Sequence, residues 1–580
     1  MATANYEMDK LYDSVGLLRM KDSYLSGGEA SPQDRLASVC NQFGTDDDHR
    51  RRLYEYASKH WLSLSSPLLG YNKDKKMSYP ISCYLLYLHD TVEGLIDTLS
   101  EANHLSVCGG GVSVKMGIRP LNDKSLGVVS HCKTYDSCVL AYKQGSRRGS
   151  YAMYLDVSHP EILAFIDIRK PTGDYNMRCL NIHNAICLSD KFMEIIERCT
   201  EDPSADDSWD LVDPSTGVVK QTVSAKLIWQ KIIEMRMQTG EPYLCFVDAC
   251  NRDMNPYQKA RGMKIEQSNL CTEVIVPTNE TRSSLCCLAS VNIEKYEEWK
   301  NNERFIGDTM EMLDNVLTEF ERKATSHRFD RVNDSVKKER NIGIGVLGFH
   351  SYLQSVGVSI ESEEAQRVNI EIFKWLNETC DKYNLELGSR RGTPEDIAGS
   401  GRRFAYTMAV APTATTSIIM GNTSPSIEPF RANVYRQDTV SGSQFNKNKN
   451  LDRLFDSKGY GPKLKAKLWT SIVANDGSVQ HLDERFITKS EKDVFKTFIE
   501  VEQSKLVELA AGRHKYIDQG QSLTLTFGPD EPVANIHRIH LQAWKSGLKT
   551  MYYLRSAKIS RADKLNADDP MTQGCKSCEA

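Results

Sequence analysis

The chain has 580 residues, 40% hydrophobic and 26% charged, a balance that excludes disordered, collagen-like and fibrous classes. Lys and Arg number 73 against 77 Asp and Glu, a formal net charge of −4, so no global field draws the chain to nucleic acid or to an acidic membrane. The longest apolar run, residues 342–349, falls far short of the roughly 18 to 20 residues that span a bilayer. The opening MATANYEMDK has no apolar signal core, so the expectation is a cytoplasmic chain whose sixteen cysteines are mostly reduced thiols.

In chain order, residues 1–36 read as a leader ending in the polar stretch SGGEASPQDR, too short for a domain of at least ~50 residues. From residue 37 to 555 there is no linker and no repeat, which predicts one continuous α/β body. Strands are predicted at 82–88, 151–157, 242–247, 285–292, 404–410, 523–527 and 551–554, where β-branched and aromatic residues sit between turn formers. Ile306, Met310, Leu313, Leu317 and Phe320 step by 4, 3, 4 and 3, which predicts a helix. Ala365, Val368, Ile372, Leu376, Tyr383 and Leu387 predict a second, stopped by Gly388. Residues 556–580 carry no period and read as a mobile tail ending in Cys575-Lys576-Ser577-Cys578.

The densest chemistry lies in Gln267-Ser268-Asn269-Leu270-Cys271-Thr272-Glu273. In extended chain Asn269, Cys271 and Glu273 would point one way, bringing an amide, a thiol and a carboxylate together; a buried Cys between solvated polar residues is the plainer alternative. Cys83 and the adjacent Cys286 and Cys287 lie on predicted strands and, taken singly, read as small core hydrophobes. The terminal Cys-x-x-Cys lacks the second Cys/His pair that four-coordinate zinc needs, so a mobile dithiol that carries electrons is the better reading. Tyr552 and Tyr553 stand side by side, which usually means aromatic packing. Thr413, Ala414, Thr415, Thr416 and Ser417 form a hydroxyl-rich turn, either a simple helix cap or an anion cradle. Residues 343–348 match GxGxxG, but the charged VKKERN before them is not a strand, which speaks against a dinucleotide site.

Taken in order, SSC, SNLCTE, LCCLAS, APTATTS, TMYYLR and the terminal CxxC resemble the large, catalytic subunit of a class I ribonucleotide reductase, from about residue 37 to the C-terminus. The resemblance implies a ten-stranded α/β barrel of two five-stranded halves with Cys271 on a central loop. It implies that Cys271 becomes a thiyl radical and removes the 3′-hydrogen of a ribonucleoside diphosphate, that Glu273 takes the 3′-OH proton, and that Asn269 holds the substrate hydroxyls. Cys83 with Cys286 would supply two electrons by closing to a disulfide, and Cys575 and Cys578 would re-reduce them from thioredoxin or glutaredoxin. Alignment on the following Leu-Ala-Ser favours Cys286, but neighbours on a strand face opposite ways and Cys287 stays an alternative.

The same resemblance implies that the radical arrives from a separate metal-containing small subunit through Tyr552 and Tyr553, with no metal or cofactor held by this chain. An adenosylcobalamin-dependent enzyme and a catalytically silent homologue are the alternatives. Ser66, Ser82, Gly110 and Thr413 to Thr416 match substrate-binding positions. Asp90, Thr91, Val92 and Arg119 match the site of a deoxynucleotide or ATP specificity effector, and residues 169–181 the loop that passes its signal. An effector-favoured homodimer is expected. The leader is too short for the ATP-binding cone of many relatives, so dATP is expected not to switch the enzyme off through one. The compact chain looks like minimal, viral members of the family.

Overall fold

The computed structural model describes residues 1–75, 78–144, 147–439 and 442–556. Five strands, β1 (Cys83–His89), β2 (Gly111–Gly117), β3 (Tyr151–Asp156), β4 (His183–Leu188) and β5 (Tyr243–Phe246), pair in that order and all in parallel. Parallel neighbours need crossovers, and helices supply them. One is α3 (Val92–Val107); α1 (Ser14–Ser23) and α2 (Pro32–Phe43) precede the first strand.

A second parallel half begins with β6 (Ser284–Asn292) and β7 (Ile342–Leu347). Single parallel bridges then join Ile344 to Met408 and Val410 to Gln521. The amide of Tyr552, just after β8 (Thr550–Met551), donates to the Leu523 carbonyl at 2.9 Å. The halves meet antiparallel at both seams, β6 on β1 with Cys286 opposite Cys83, and β8 on β5 with Leu244 opposite Met551. With the extended segments 407–410 and 520–524 counted, each half has five members and the ring closes as a ten-stranded barrel.

Alternation along the strands sorts their side chains. Cys83, Leu85, Cys286 and Leu288 face the interior, whereas Tyr84, Leu86, Leu285 and Cys287 belong to the large core under the outer helices. A barrel of this size would leave a void; the segment 263–283 fills it. Residues 267–278 are buried without being a strand, and their apolar side chains divide the interior. Leu270, Cys271 and Ile275 pack with Tyr154, Tyr243 and Tyr552 on one side, Val274 and Val276 with Cys83 and Cys286 on the other. At Gly520 an added Cβ would meet Ile275 Cδ1 at 2.8 Å and the Thr272 carbonyl at 3.1 Å, so only glycine lets the loop lie this close.

Two expectations are corrected. The predicted helix ending at Gly388 runs as α5 (Glu363–Arg391) after α4 (Phe305–Lys323), and Gly388 lies inside it. A side chain there would collide with the Gly401 carbonyl, so this glycine serves close packing. Gly392, with φ 85°, follows the helix end. The predicted strand 404–410 pairs only at isolated bridges, because the Asp518 carboxylate accepts the amides of Thr407 and Met408 at 2.7 and 2.8 Å. The GxGxxG run is β7 itself. Its first two glycines admit Leu288 and Ala409 of the adjoining segments, a packing role.

Residues 1–36 hold a 3-10 turn (Tyr6–Leu11), α1 and the start of α2, joined by irregular chain. Asp13 caps α1 and Ser31 caps α2 in a capping box with Asp34. Tyr24 meets Ser66 across 2.8 Å between their hydroxyls.

Candidate active site

The central loop does not present its three polar residues as an extended chain. Thr272, at φ 69°, turns the backbone, the Thr272 amide donates to the Asn269 carbonyl at 3.3 Å, and Asn269 Oδ1 accepts the Val274 amide at 3.0 Å. The i, i+2, i+4 geometry is thus replaced by a tight turn with two faces. On one face Asn269 Nδ2 lies 3.3 Å from Cys83 Sγ, which is 3.9 Å from Glu273 Oε1. On the other, Tyr552 donates its phenol toward Cys271 Sγ at 3.6 Å. Tyr154 of β3 fixes the turn by donating to the Asn269 carbonyl at 2.6 Å.

Burial pushes the Glu273 carboxyl up to about 7, against hydrogen bonds from its own amide, Asn269, Ser522 and Cys83 that favour the anion. A carboxyl poised there can both take and return a proton near neutrality. Ser522 Oγ lies 2.5 Å from the Cys271 carbonyl and 3.3 Å from Glu273 Oε2, so one hydroxyl serves both. Sequence reading missed Ser522, since nothing in its neighbourhood marks one serine among many.

Register separates the two adjacent thiols. Cys286 stands directly opposite Cys83 and shares its interior cluster, while Cys287 points outward. Gln519 Nε2 approaches Cys286 Sγ at 3.7 Å and anchors on the Ile342 carbonyl at 2.9 Å. Burial raises the Cys286 thiol well above its ordinary range, keeping it protonated.

Behind Cys271 the aromatic pair is real. The Tyr552 and Tyr553 rings lie 4.2 Å apart, and Tyr243 of β5 packs at 4.8 Å from the first and 5.1 Å from the second. Tyr243 is a third tyrosine of this cluster, fully buried, that spacing did not reveal, because it lies more than 300 positions away in sequence.

The other expected residues fall into two groups. Ser66, Ser82 and Thr413 to Thr416 include buried hydroxyls, and Gly110 is required because a side chain would strike the Tyr84 ring. Thr413, at φ 49°, precedes the short α6 (Ala414–Ile419), which begins at Ala414, and its Oγ1 accepts the Ser426 amide at 2.7 Å. Ser65, next to Ser66, has a buried Oγ without a partner among the described residues, an acceptor or donor the sequence reading passed over.

At the head of α3, Asp90 Oδ2 receives Arg119 Nε and Ser215 Oγ at 2.7 Å each. Thr91 caps the helix and Val92 is exposed. Cys575 and Cys578 lie outside the described residues. No group of three or more metal-ligating side chains occurs among the described residues, and none of their helices is long and apolar enough to cross a membrane.

The family model for the ribonucleotide reductase barrel domain matches residues 81–397 and 391–554. This chain belongs to the ribonucleotide reductase family. The ribonucleoside-diphosphate reductase large subunit of Invertebrate iridescent virus 3 is 46% identical and aligns over 100% of both chains. That of Invertebrate iridescent virus 6 is 35% identical over 97% of this chain and 93% of its own. Among solved structures, the class Id ribonucleotide reductase alpha subunit of Actinobacillus ureae superposes with a TM-score of 0.83 at 32% identity, covering 96% and 99% of the two chains.

Proposed function

We propose that this chain is the catalytic subunit of a ribonucleoside-diphosphate reductase that makes 2′-deoxyribonucleotides by thiyl-radical chemistry. The observation that carries it is the turn at Cys271, with the Tyr552 phenol on one face and Asn269, Glu273 and Cys83 on the other.

The Cys271 thiyl takes the 3′-hydrogen atom, and the Glu273 carboxylate takes the 3′-OH proton while Asn269 holds the hydroxyls. The 2′-OH leaves as water. Cys83 and Cys286 together give two electrons and two protons and close to a disulfide, so one nucleotide and two thiols become one deoxynucleotide, one water and one disulfide. Cys271 returns the hydrogen atom to C3′. Cys575 and Cys578 then reopen the disulfide by exchange and are themselves reduced by thioredoxin or glutaredoxin, in the cytoplasm.

The radical is generated by a metallocofactor in a small subunit. Tyr553 and Tyr552 conduct it to Cys271; the contact of Tyr552 with that thiol supports this route over adenosylcobalamin. Ser66, Ser82, Gly110 and the turn Thr413 to Thr416 receive the substrate. Asp90, Thr91, Val92 and Arg119 bind the specificity effector, and residues 169–181 transmit it within an effector-favoured homodimer.

The test is conversion of CDP to dCDP with a small subunit and a dithiol reductant. Product that depends on the small subunit and is lost in Tyr552→Phe is expected. Product formed without it contradicts the assignment.

A further inference from the structure

The aromatic pair is backed by a buried polar chain that the reaction above does not use. Tyr243 is fully buried, and its hydroxyl lies 3.1 Å from His183 Nδ1, while the same nitrogen lies 2.7 Å from Glu241 Oε1. Glu241 Oε2 accepts the Asn184 amide at 3.2 Å and faces Arg169 Nε at 3.4 Å. The Tyr243 ring packs on both relay tyrosines, at 4.8 Å from Tyr552 and edge-on at 5.1 Å from Tyr553, and burial together with the neighbouring Tyr553 phenol keeps the Tyr243 hydroxyl protonated.

Proton order along this chain follows from the carboxylate. Burial alone would protonate Glu241, but Arg169 and His183 outweigh it and hold the carboxyl below its ordinary range. An anion 2.7 Å from Nδ1 requires a proton on that nitrogen, so Nδ1 has no lone pair to offer Tyr243. The Tyr243 oxygen can only accept from His183, and its own proton is left to point at Tyr553.

We infer that Tyr243 is a positioning residue of the radical relay: oriented by His183 and Glu241, it donates a hydrogen bond to the Tyr553 oxygen and fixes that ring against Tyr552. Donation to a phenoxyl oxygen stabilises the radical and holds the two rings at transfer distance. This rests on the relay role proposed for Tyr552 and Tyr553.

The experiment places 3-aminotyrosine at position 553 of the full chain, mixes it with small subunit, CDP and effector, and records high-field electron paramagnetic resonance in H2O and D2O. With Tyr243 present, the radical at 553 should show an exchangeable-deuteron coupling from the donated bond. Tyr243→Phe keeps the ring and should lose that coupling and raise the largest g value. In the otherwise native chain it should lower kcat about five- to tenfold at unchanged KM for CDP, the worth of one hydrogen bond. Glu241→Gln keeps the phenol but frees the proton order, and should shift the spectrum the same way by less. An aminotyrosine at 553 that is never oxidised overturns the relay and this inference with it. A radical at 553 with the same coupling and g value in both variants overturns this inference alone.

Discussion

At the residue scale the controlling fact is a carboxyl enclosed by protein. Glu273 is buried between Ser522 and Cys83, and burial holds it up to about 7. In the proposed reaction only the anion accepts the 3′-OH proton, and its fraction grows with pH, so kcat for CDP should climb about tenfold per unit below pH 7 and level above it. Glu273→Gln should cut turnover at least about a hundredfold. Stability runs the opposite way. A carboxyl raised from 4.5 favours the folded state most when protonated, and that contribution is lost as pH rises through about 7. Urea midpoints at pH 8 should therefore favour Glu273→Gln over the native chain, with the advantage gone at pH 5. A flat rate profile across pH 6 to 8 would contradict the assigned base.

At the element scale, the central loop depends on residues outside its own segment. Gly520→Ala would press a methyl onto Ile275 and the Thr272 carbonyl, displacing the turn while leaving the outer core alone. We expect a cost of about 1–3 kcal/mol in stability, the range for overpacking, and a much larger loss of turnover, read by thermal unfolding and CDP assay of one preparation. A variant with native activity would show that the turn is not held from this side. The long strands and helices were legible because their periodicity reflects burial on one face, as at Ile306 to Phe320. The segment 404–410 was misread because Asp518, over a hundred positions away, takes its amides. Gly388 was misread because a packing glycine and a capping glycine look alike in sequence.

At the scale of the whole molecule, barrel closure pairs residues far apart in the chain. Cys83 and Cys286 face each other only because β6 joins β1 at the seam, and Cys287 is turned away by strand alternation. A single turnover without external reductant in a chain carrying Cys575→Ser and Cys578→Ser, which cannot pass the oxidation to the tail, followed by peptide mapping, should yield a Cys83–Cys286 disulfide. A bridge to Cys287 would mean the register at the seam is wrong. The heptapeptide holding Asn269, Cys271 and Glu273 was legible because three reactive side chains fall within five residues. Tyr243 and Ser522 were not, because the barrel alone brings them to that loop.

The central claim is that Cys271 is the thiol that removes the 3′-hydrogen. Its most direct test is CDP reduction by Cys271→Ser with saturating small subunit and reductant, on protein whose unfolding transition matches the native chain. The account predicts no dCDP, since a serine hydroxyl does not yield its hydrogen atom to a tyrosyl radical. Sustained dCDP formation by that variant would contradict it.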